Sequence, residues 1–205
     1  TYDFVSDKGC VAEQKSTSVE VFDMPNPSIS LSNTSVCVSG NNSDVVTVST
    51  SGTQTTGTFS YSVNNGGTVN ASTGAFDPTA NSAGDYTITL NYLDANSCAG
   101  TASATLTVHA LPNVKIDDSN PSEICYNAPA FDITTTVSPT GGTGVWTGTT
   151  ASTSASFNPT SANETTTITY TYTDEFKCVN SDETTITKVT VNAPNAIPTK
   201  TLLKN

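Results

Sequence analysis

Five cysteines, a single histidine and a scatter of carboxylates are the side chains of this 205-residue chain best suited to covalent, proton-transfer or metal chemistry. The cysteines stand at 10, 37, 98, 125 and 178, with no CxxC pair and no cysteine–histidine cluster. That pattern is poor for zinc and good for disulfides, with free thiols as the alternative. His109 ends an alternating segment beside Ala110-Leu111-Pro112, the place of an exposed or junctional side chain. A lone imidazole cannot supply a nucleophile–base–acid set at more than one site. Asp117-Asp118, Asp174-Glu175 and Asp182-Glu183 are adjacent carboxylate pairs. On strands such neighbours point to opposite faces, so they do not make the facing pair of a glycosidase. Asp94 and Asp174 are expected to be solvated turn residues. Gly66-Gly67 and Gly141-Gly142 belong to turns rather than to a phosphate-cradling loop before a helix. The expectation is therefore no catalytic residue, no cofactor and no resident metal.

Calcium is the one ion the chain gives reason to consider. Asp23 with Asn26, Asp94 with Asn96, and Asp117 with Asp118 could each begin an oxygen shell. A calcium site needs six or more oxygens, and no DxDxDG pattern supplies them.

The cysteines take their meaning from a repeat. Met24-Pro25-Asn26, Leu111-Pro112-Asn113 and Ala193-Pro194-Asn195 each follow the same phrase: an aromatic strand, an acidic turn, a cysteine and a Thr/Val strand. The phrase runs from Tyr2 to Cys10 and Val19-Glu20-Val21, from Tyr86 to Cys98 and Leu106-Thr107-Val108, and from Tyr170 to Cys178 and Val189-Thr190-Val191. A spacing of 88 and then 80 residues between those cysteines is too long for a solenoid turn and right for a small all-β domain. The organisation expected is the C-terminal half of one repeat at 1–24, full repeats at 25–110 and 111–193, and the start of another at 194–205. Each full repeat then owns an early and a late cysteine, which predicts the bridges Cys37–Cys98 and Cys125–Cys178. Cys10 is left unpaired because the front half of its own repeat is missing. In the chain-entropy model, bridges closing loops of about 50–60 residues stabilise each repeat by roughly 4 kcal/mol. They also imply an oxidising, extracellular compartment.

Serine and threonine make up roughly a third of the chain, far above ordinary usage. Disorder does not follow, because period-2 alternation and regularly placed aromatics are present. Tyr86, Ile88, Leu90 and Tyr92 share one parity against Thr87, Thr89 and Asn91, and Ile168, Tyr170 and Tyr172 repeat the arrangement. These read as half-buried antiparallel strands. Ala104–Val108 and 187–191 are the returning partners across a short polar hairpin loop. Earlier strands are expected at Ser28–Ser32, Val45–Ser49 and Thr58–Val63, and at Val114–Asp117, Phe131–Val137 and Val145–Thr147. Phe59 aligns with Trp146, and Phe76-Asp77-Pro78-Thr79 with Phe157-Asn158-Pro159-Thr160. The first pair predicts a central aromatic core plug, the second an apolar anchor before a turn. Prolines at the linkers predict a semi-rigid string of sandwiches. Sequons at Asn33, Asn41, Asn70 and Asn163 are what a Ser/Thr-rich chain yields by chance.

A net charge of −11 and a pI near 4.1 argue against nucleic acid or an anionic membrane surface as partners. No run of about 18 apolar residues is present to cross a bilayer as a helix.

Gly-Gly-Thr-Gly-Val-Trp-Thr-Gly (141–148), Phe-Asn-Pro-Thr (157–160), Tyr-Thr-Tyr-Thr-Asp (170–174) and Cys178 together resemble the Ig-like repeats of giant Bacteroidetes cell-surface proteins. The resemblance covers both full repeats and the leading half-repeat. Tyr61 stands where glycine is usual, Phe59 where tryptophan is, and Ser97 and Lys177 where glycine is common. It implies tandem immunoglobulin-like β-sandwiches in an extended array, as in gliding-motility adhesins of the SprB type exported by the type 9 secretion route. The implied role is a non-enzymatic stalk or adhesive segment on the outer cell surface. Its partners would be an extracellular surface or polysaccharide, engaged through this or other modules, and the motility and secretion machinery. Carbohydrate-binding modules of a secreted polysaccharide-degrading enzyme are the alternative, which would require exposed coplanar aromatics. A viral or S-layer structural protein is a third reading.

Overall fold

A computed structural model describes residues 5–38, 47–51, 57–160 and 163–190. Tyr2 and Phe4 of the leading phrase, Val45, the Asn41 sequon, Val191 and residues 194–205 lie outside them.

The chain is all-β. Its strands are β1 (Ser28–Leu31), β2 (Ser35–Cys37), β3 (Val48–Ser51), β4 (Thr58–Val63), β5 (Gly84–Leu93) and β6 (Ala99–His109), then β7 (Asn113–Ile116), β8 (Glu123–Cys125), β9 (Phe131–Asp132), β10 (Thr135–Ser138), β11 (Thr143–Thr147), β12 (Ser156–Phe157), β13 (Glu164–Thr173) and β14 (Val179–Val189). The first repeat builds a four-stranded sheet in the order β2-β6-β5-β4 and a β1-β3 pair. The second builds β11-β13-β14-β8, a β10-β7 pair and a β12-β9 pair. Six strands correspond in one immunoglobulin-like arrangement, with β5 and β13 of 10 residues and β6 and β14 of 11; the β12-β9 pair has no counterpart among the described residues of the first repeat.

Alternation drives the long strands as expected. Tyr86, Ile88, Leu90 and Tyr92 are buried along one side of β5. In the second repeat Ile116, Ile133, Trp146, Phe157, Ile168 and Ile186 form one closed cluster between the four-stranded sheet and the smaller pairs. Glycines let tyrosines lie flat on the neighbouring strand: a methyl group on Gly57 would meet the Tyr92 ring, and one on Gly144 the Tyr170 ring. Phe76 and Phe157 are both buried anchors, and after Phe76 the Asp77 carboxylate caps the turn through the Thr79 amide and hydroxyl, at 2.9 and 2.8 Å.

Two strand expectations need correcting. Phe131–Val137 is not one strand, because Asn120 breaks it at Thr134: its side chain accepts the Thr134 amide (3.0 Å) and donates to the Thr134 carbonyl (3.0 Å). β9 and β10 on either side pair with different partners. Val19-Glu20-Val21 forms no strand; both valines are exposed, and among the described residues no sheet covers their apolar side. The short strands β2 and β8 were not foreseen. Each joins the far end of a long strand in parallel: Cys37 is the register partner of His109 on β6, and Cys125 that of Val189 on β14.

The linker prolines pack on their own repeats. Gly100, near the start of β6, lies so close to the Pro25 carbonyl and the Pro27 ring that a side chain there would collide with both. At the equivalent place on β14, Asn180 donates its amide to the Pro112 carbonyl at 2.9 Å. Each repeat therefore has a leading end, where its proline docks by the start of the long returning strand, and a trailing end, where that strand finishes.

The chain divides into two compact units. One holds residues 5–32, β3, β4 and residues 87–105; the other holds β2, residues 77–86 and everything from Leu106 onward.

Candidate functional site

The hairpin loop after β13 is built around a carboxylate. Asp174 is buried, and its Oδ1 accepts the amides of Phe176 (2.9 Å) and Cys178 (2.8 Å). The Asp174 amide in turn donates to the Cys178 carbonyl at 3.0 Å, and Lys177 takes a positive φ of 71° to close the turn. The loop after β5 is a copy: Asp94 Oδ1 accepts from Asn96 (2.9 Å) and Cys98 (2.8 Å), and Ser97 has φ 68°. Asp94 and Asp174 are thus not the solvated turn residues expected. They are buried acceptors that fix the backbone of a cysteine at the leading end of each repeat.

The other cysteine of each repeat sits at the trailing end. Cys125 is level with Val189, the last residue of β14, whereas Cys178 immediately precedes its first residue. An 11-residue strand at about 3.3 Å per residue separates the two by more than 30 Å, and a disulfide needs its Cα atoms within about 7 Å. The same construction places Cys37 level with His109, at the end of β6, and Cys98 just before its start.

The expected bridges Cys37–Cys98 and Cys125–Cys178 are accordingly absent. The disulfide joins Cys37 to Cys178, across a sequence separation of 141. It ties the trailing end of the first repeat to the leading end of the second, and both residues lie in the second compact unit. Cys98 and Cys125 are partly exposed free thiols, and Cys10 is an exposed one.

Aromatic and polar contacts surround the bridge. The His109 ring stacks on Phe176, with centroids 4.0 Å apart and an interplanar angle of 10°. Its Nε2 lies 3.0 Å from the Ser35 hydroxyl. His109 therefore does occupy a junction, packed against the loop that carries Cys178. Among the described residues, its side-chain contacts are the Phe176 ring and the Ser35 hydroxyl.

Asp118 and Asp182, two of the remaining carboxylates, have structural partners. Asp118 pairs with Lys115 at 2.7 Å, and this contact holds the Lys115 ammonium above its ordinary pKa. Hydrogen bonds from Thr79, chiefly its hydroxyl, hold Asp77 below the usual carboxylate value. Asp182 Oδ2 accepts the Ile116 amide at 2.8 Å, pinning β7 against β14. Among the described residues, no three His, Cys, Asp or Glu side chains gather as a metal site would require.

The expected alignment of Phe59 with Trp146 does not hold in the strands: Trp146 pairs with Tyr170 and Phe59 with Tyr92, so Tyr61, the partner of Leu90, takes the place of Trp146. Trp146 is the expected core plug, 7% exposed and packed on Tyr170 with centroids 4.5 Å apart. Phe59 is 38% exposed and walls a shallow cavity of about 470 Å³ with Tyr92, Leu93 and Ala99. The Phe59 and Tyr92 rings lie 45° apart in plane, not as a flat stacking platform for a sugar.

No protein-family model matches the chain, and no curated protein matches it in sequence. Solved structures with a related strand arrangement include mouse cadherin-23 EC22-24, at 16% identity and a TM-score of 0.34, covering 84% of this chain and 68% of that one. The fibronectin(III)-like modules of Clostridium thermocellum CbhA align at 13% identity and 0.35, covering 79% and 94%. The C-terminal 282-residue fragment of intimin, solved with its receptor's intimin-binding domain, aligns at 12% identity and 0.42, covering 78% and 63%. At these scores the likeness carries no functional argument, and the fold description rests on the strand pairings themselves.

Proposed function

We propose that this chain is a non-enzymatic, load-bearing stalk segment of a very large bacterial cell-surface adhesin, serving attachment and gliding motility outside the cell. On this reading 25–110 and 111–193 are successive immunoglobulin-like repeats of an extended array. Residues 1–24 close a preceding repeat and 194–205 open the next. Ligand contact falls to an extracellular surface or polysaccharide, through this or other modules, and the secretion and motility machinery moves the fibre.

The observation that carries the proposal is the covalent path through Cys37–Cys178. A pull applied to the two ends of the chain reaches Cys37, crosses the sulfur atoms and continues from Cys178. Residues 38–177 lie off that path, so their strands need not resist the load. Without the bridge, the same stretch of 141 residue steps would pay out about 490 Å when unfolded. A bridge inside one repeat would protect only that repeat; this one spans a linker. An acidic surface with few lysines also suits a fibre that must not adhere to its own anionic envelope.

Single-molecule pulling from the two termini tests the proposal. The oxidised chain should show no extension from residues 38–177, and reduction or Cys37→Ser should release about 490 Å. Equal release with and without reductant would remove the load-bearing role.

A further inference from the structure

We infer that His109 and Phe176 are the positioning pair that assigns Cys178 to Cys37 and holds their bridge closed against reduction. On the load-bearing reading above, on which this rests, the pair sets how readily the load path opens.

The two ends meet at two points, side by side. Val36 and Val108 are register partners and both are buried, so they face inward. The residues after them, Cys37 and His109, are also register partners and therefore share the outward face. Ser35 lies on that face too, with its hydroxyl 3.0 Å from the His109 Nε2. The loop after β13 meets this patch with residues of matching spacing. Phe176 lies flat on His109, with centroids 4.0 Å and planes 10° apart, and Cys178 bonds Cys37. A single Asp174 oxygen accepts both the Phe176 and the Cys178 amides, so the ring and the sulfur are presented together. A ring contact and a covalent bond made by the same two surfaces favour each other reciprocally.

The cysteines at the equivalent places lack these rings. Val189 is the register partner of Cys125, where His109 is that of Cys37. Asn96 stands two residues before Cys98, where Phe176 stands before Cys178. Asn96 and Phe176 donate the same backbone bond to their loop aspartate, both at 2.9 Å, so the loops differ in side chain and not in frame. The two cysteines that bond are thus the two whose neighbours can stack. The chemistry is exchange with a small disulfide. The Cys37 and Cys178 thiols give two electrons and two protons to oxidised glutathione, which leaves as two thiols. In the bonded state both residues are buried, Cys178 completely, so a reductant reaches the sulfurs only as the two ends part. The ring stack opposes that parting.

The test equilibrates the full chain with set ratios of reduced and oxidised glutathione, traps thiols by alkylation and maps the bonds by mass. Phe176→Ala and His109→Ala should each lower the equilibrium constant for the Cys37–Cys178 bond by roughly 2- to 10-fold, the worth of one aromatic pair. The double variant should lose little more than either alone, because each ring acts through the other. His109→Phe keeps a ring to stack and should restore most of the constant. When the reduced chain is reoxidised, the alanine variants should also place Cys178 on Cys98 or Cys125 more often than the unaltered chain does. An unchanged constant, additive losses, a His109→Phe chain no better than His109→Ala, or unaltered pairing on reoxidation would each overturn the inference. The glutathione titration applies no force, so its failure is separate from a failure of the pulling experiment.

Discussion

Trp146 and Phe59 sit at different steps of two similar strand pairs and end in different surroundings: the partner of Trp146 lies four residues before Asp174, that of Phe59 two residues before Asp94. Trp146 faces Tyr170 across β11 and β13 and closes a cluster with Phe157, Ile168 and Ile186. Phe59 faces Tyr92 across β4 and β5 but remains at the wall of an open cavity. The pairing of the two strands is shared, but the aromatic pair sits two residues nearer the loop in the first repeat, where Tyr61 rather than Phe59 takes the place of Trp146. A scaffold defined by long alternating strands accepts this variation in the middle because its ends are held by other means. At those ends the repeats agree closely: a buried aspartate, a cysteine four residues later and a docked linker proline.

The strongest way to break this comparison is to truncate both aromatics. Trp146→Ala removes a buried indole from a closed core and should cost about 3–5 kcal/mol. Phe59→Ala removes a ring that already has one side in water and should cost about 1 kcal/mol. Urea unfolding followed by far-ultraviolet circular dichroism reads both, since the single tryptophan is lost as a probe in one variant. Equal costs would show that the cavity beside Phe59 closes in solution.

A smaller effect tests the part that is alike. Asp94→Ala and Asp174→Ala each strip the acceptor from two backbone amides, and each should cost about 2 kcal/mol. The two values should agree within experimental error because the bonds agree within 0.1 Å. A large difference would mean that the bridge at Cys178, rather than the carboxylate, holds its loop. The melting temperatures of the two variants, measured side by side, decide it.

The long strands and their inward side were legible because tyrosine and isoleucine alternate with threonine over ten residues. Period-2 alternation marks a half-buried strand whatever surrounds it. The cysteine pairing was not legible, for a specific reason. β2 and β8 are three-residue strands with no room for alternation, and nothing in Ser-Val-Cys or Glu-Ile-Cys shows that they pair in parallel. That pairing puts the early cysteine at the opposite end of the repeat from the late one. The sequence shows position in the repeat as a period, but it is the distance along the strand that decides the bond. Asp94 and Asp174 were misjudged for a related reason. A carboxylate in a polar loop looks solvated until the loop is seen to fold its amides around it.

The finest test concerns a position where the repeats differ in chemistry. Tyr170 in β13 corresponds to Leu90 in β5, four residues before the loop aspartate in each. Burial raises the Tyr170 phenol above its ordinary value of 10.0, with a further contribution from Tyr172. A folded-state pKa above the unfolded one means the neutral phenol is favoured by folding. Its contribution is complete below about pH 10 and is lost as pH rises through the folded value. Tyr170→Phe keeps the ring between Trp146 and Gly144 but cannot ionise. The wild-type melting temperature should therefore fall more steeply above about pH 10 than that of the variant, with the two curves parallel below it. Parallel curves throughout would show that the Tyr170 hydroxyl reaches water on ionising, and that this strand is no more closed than its counterpart in the first repeat.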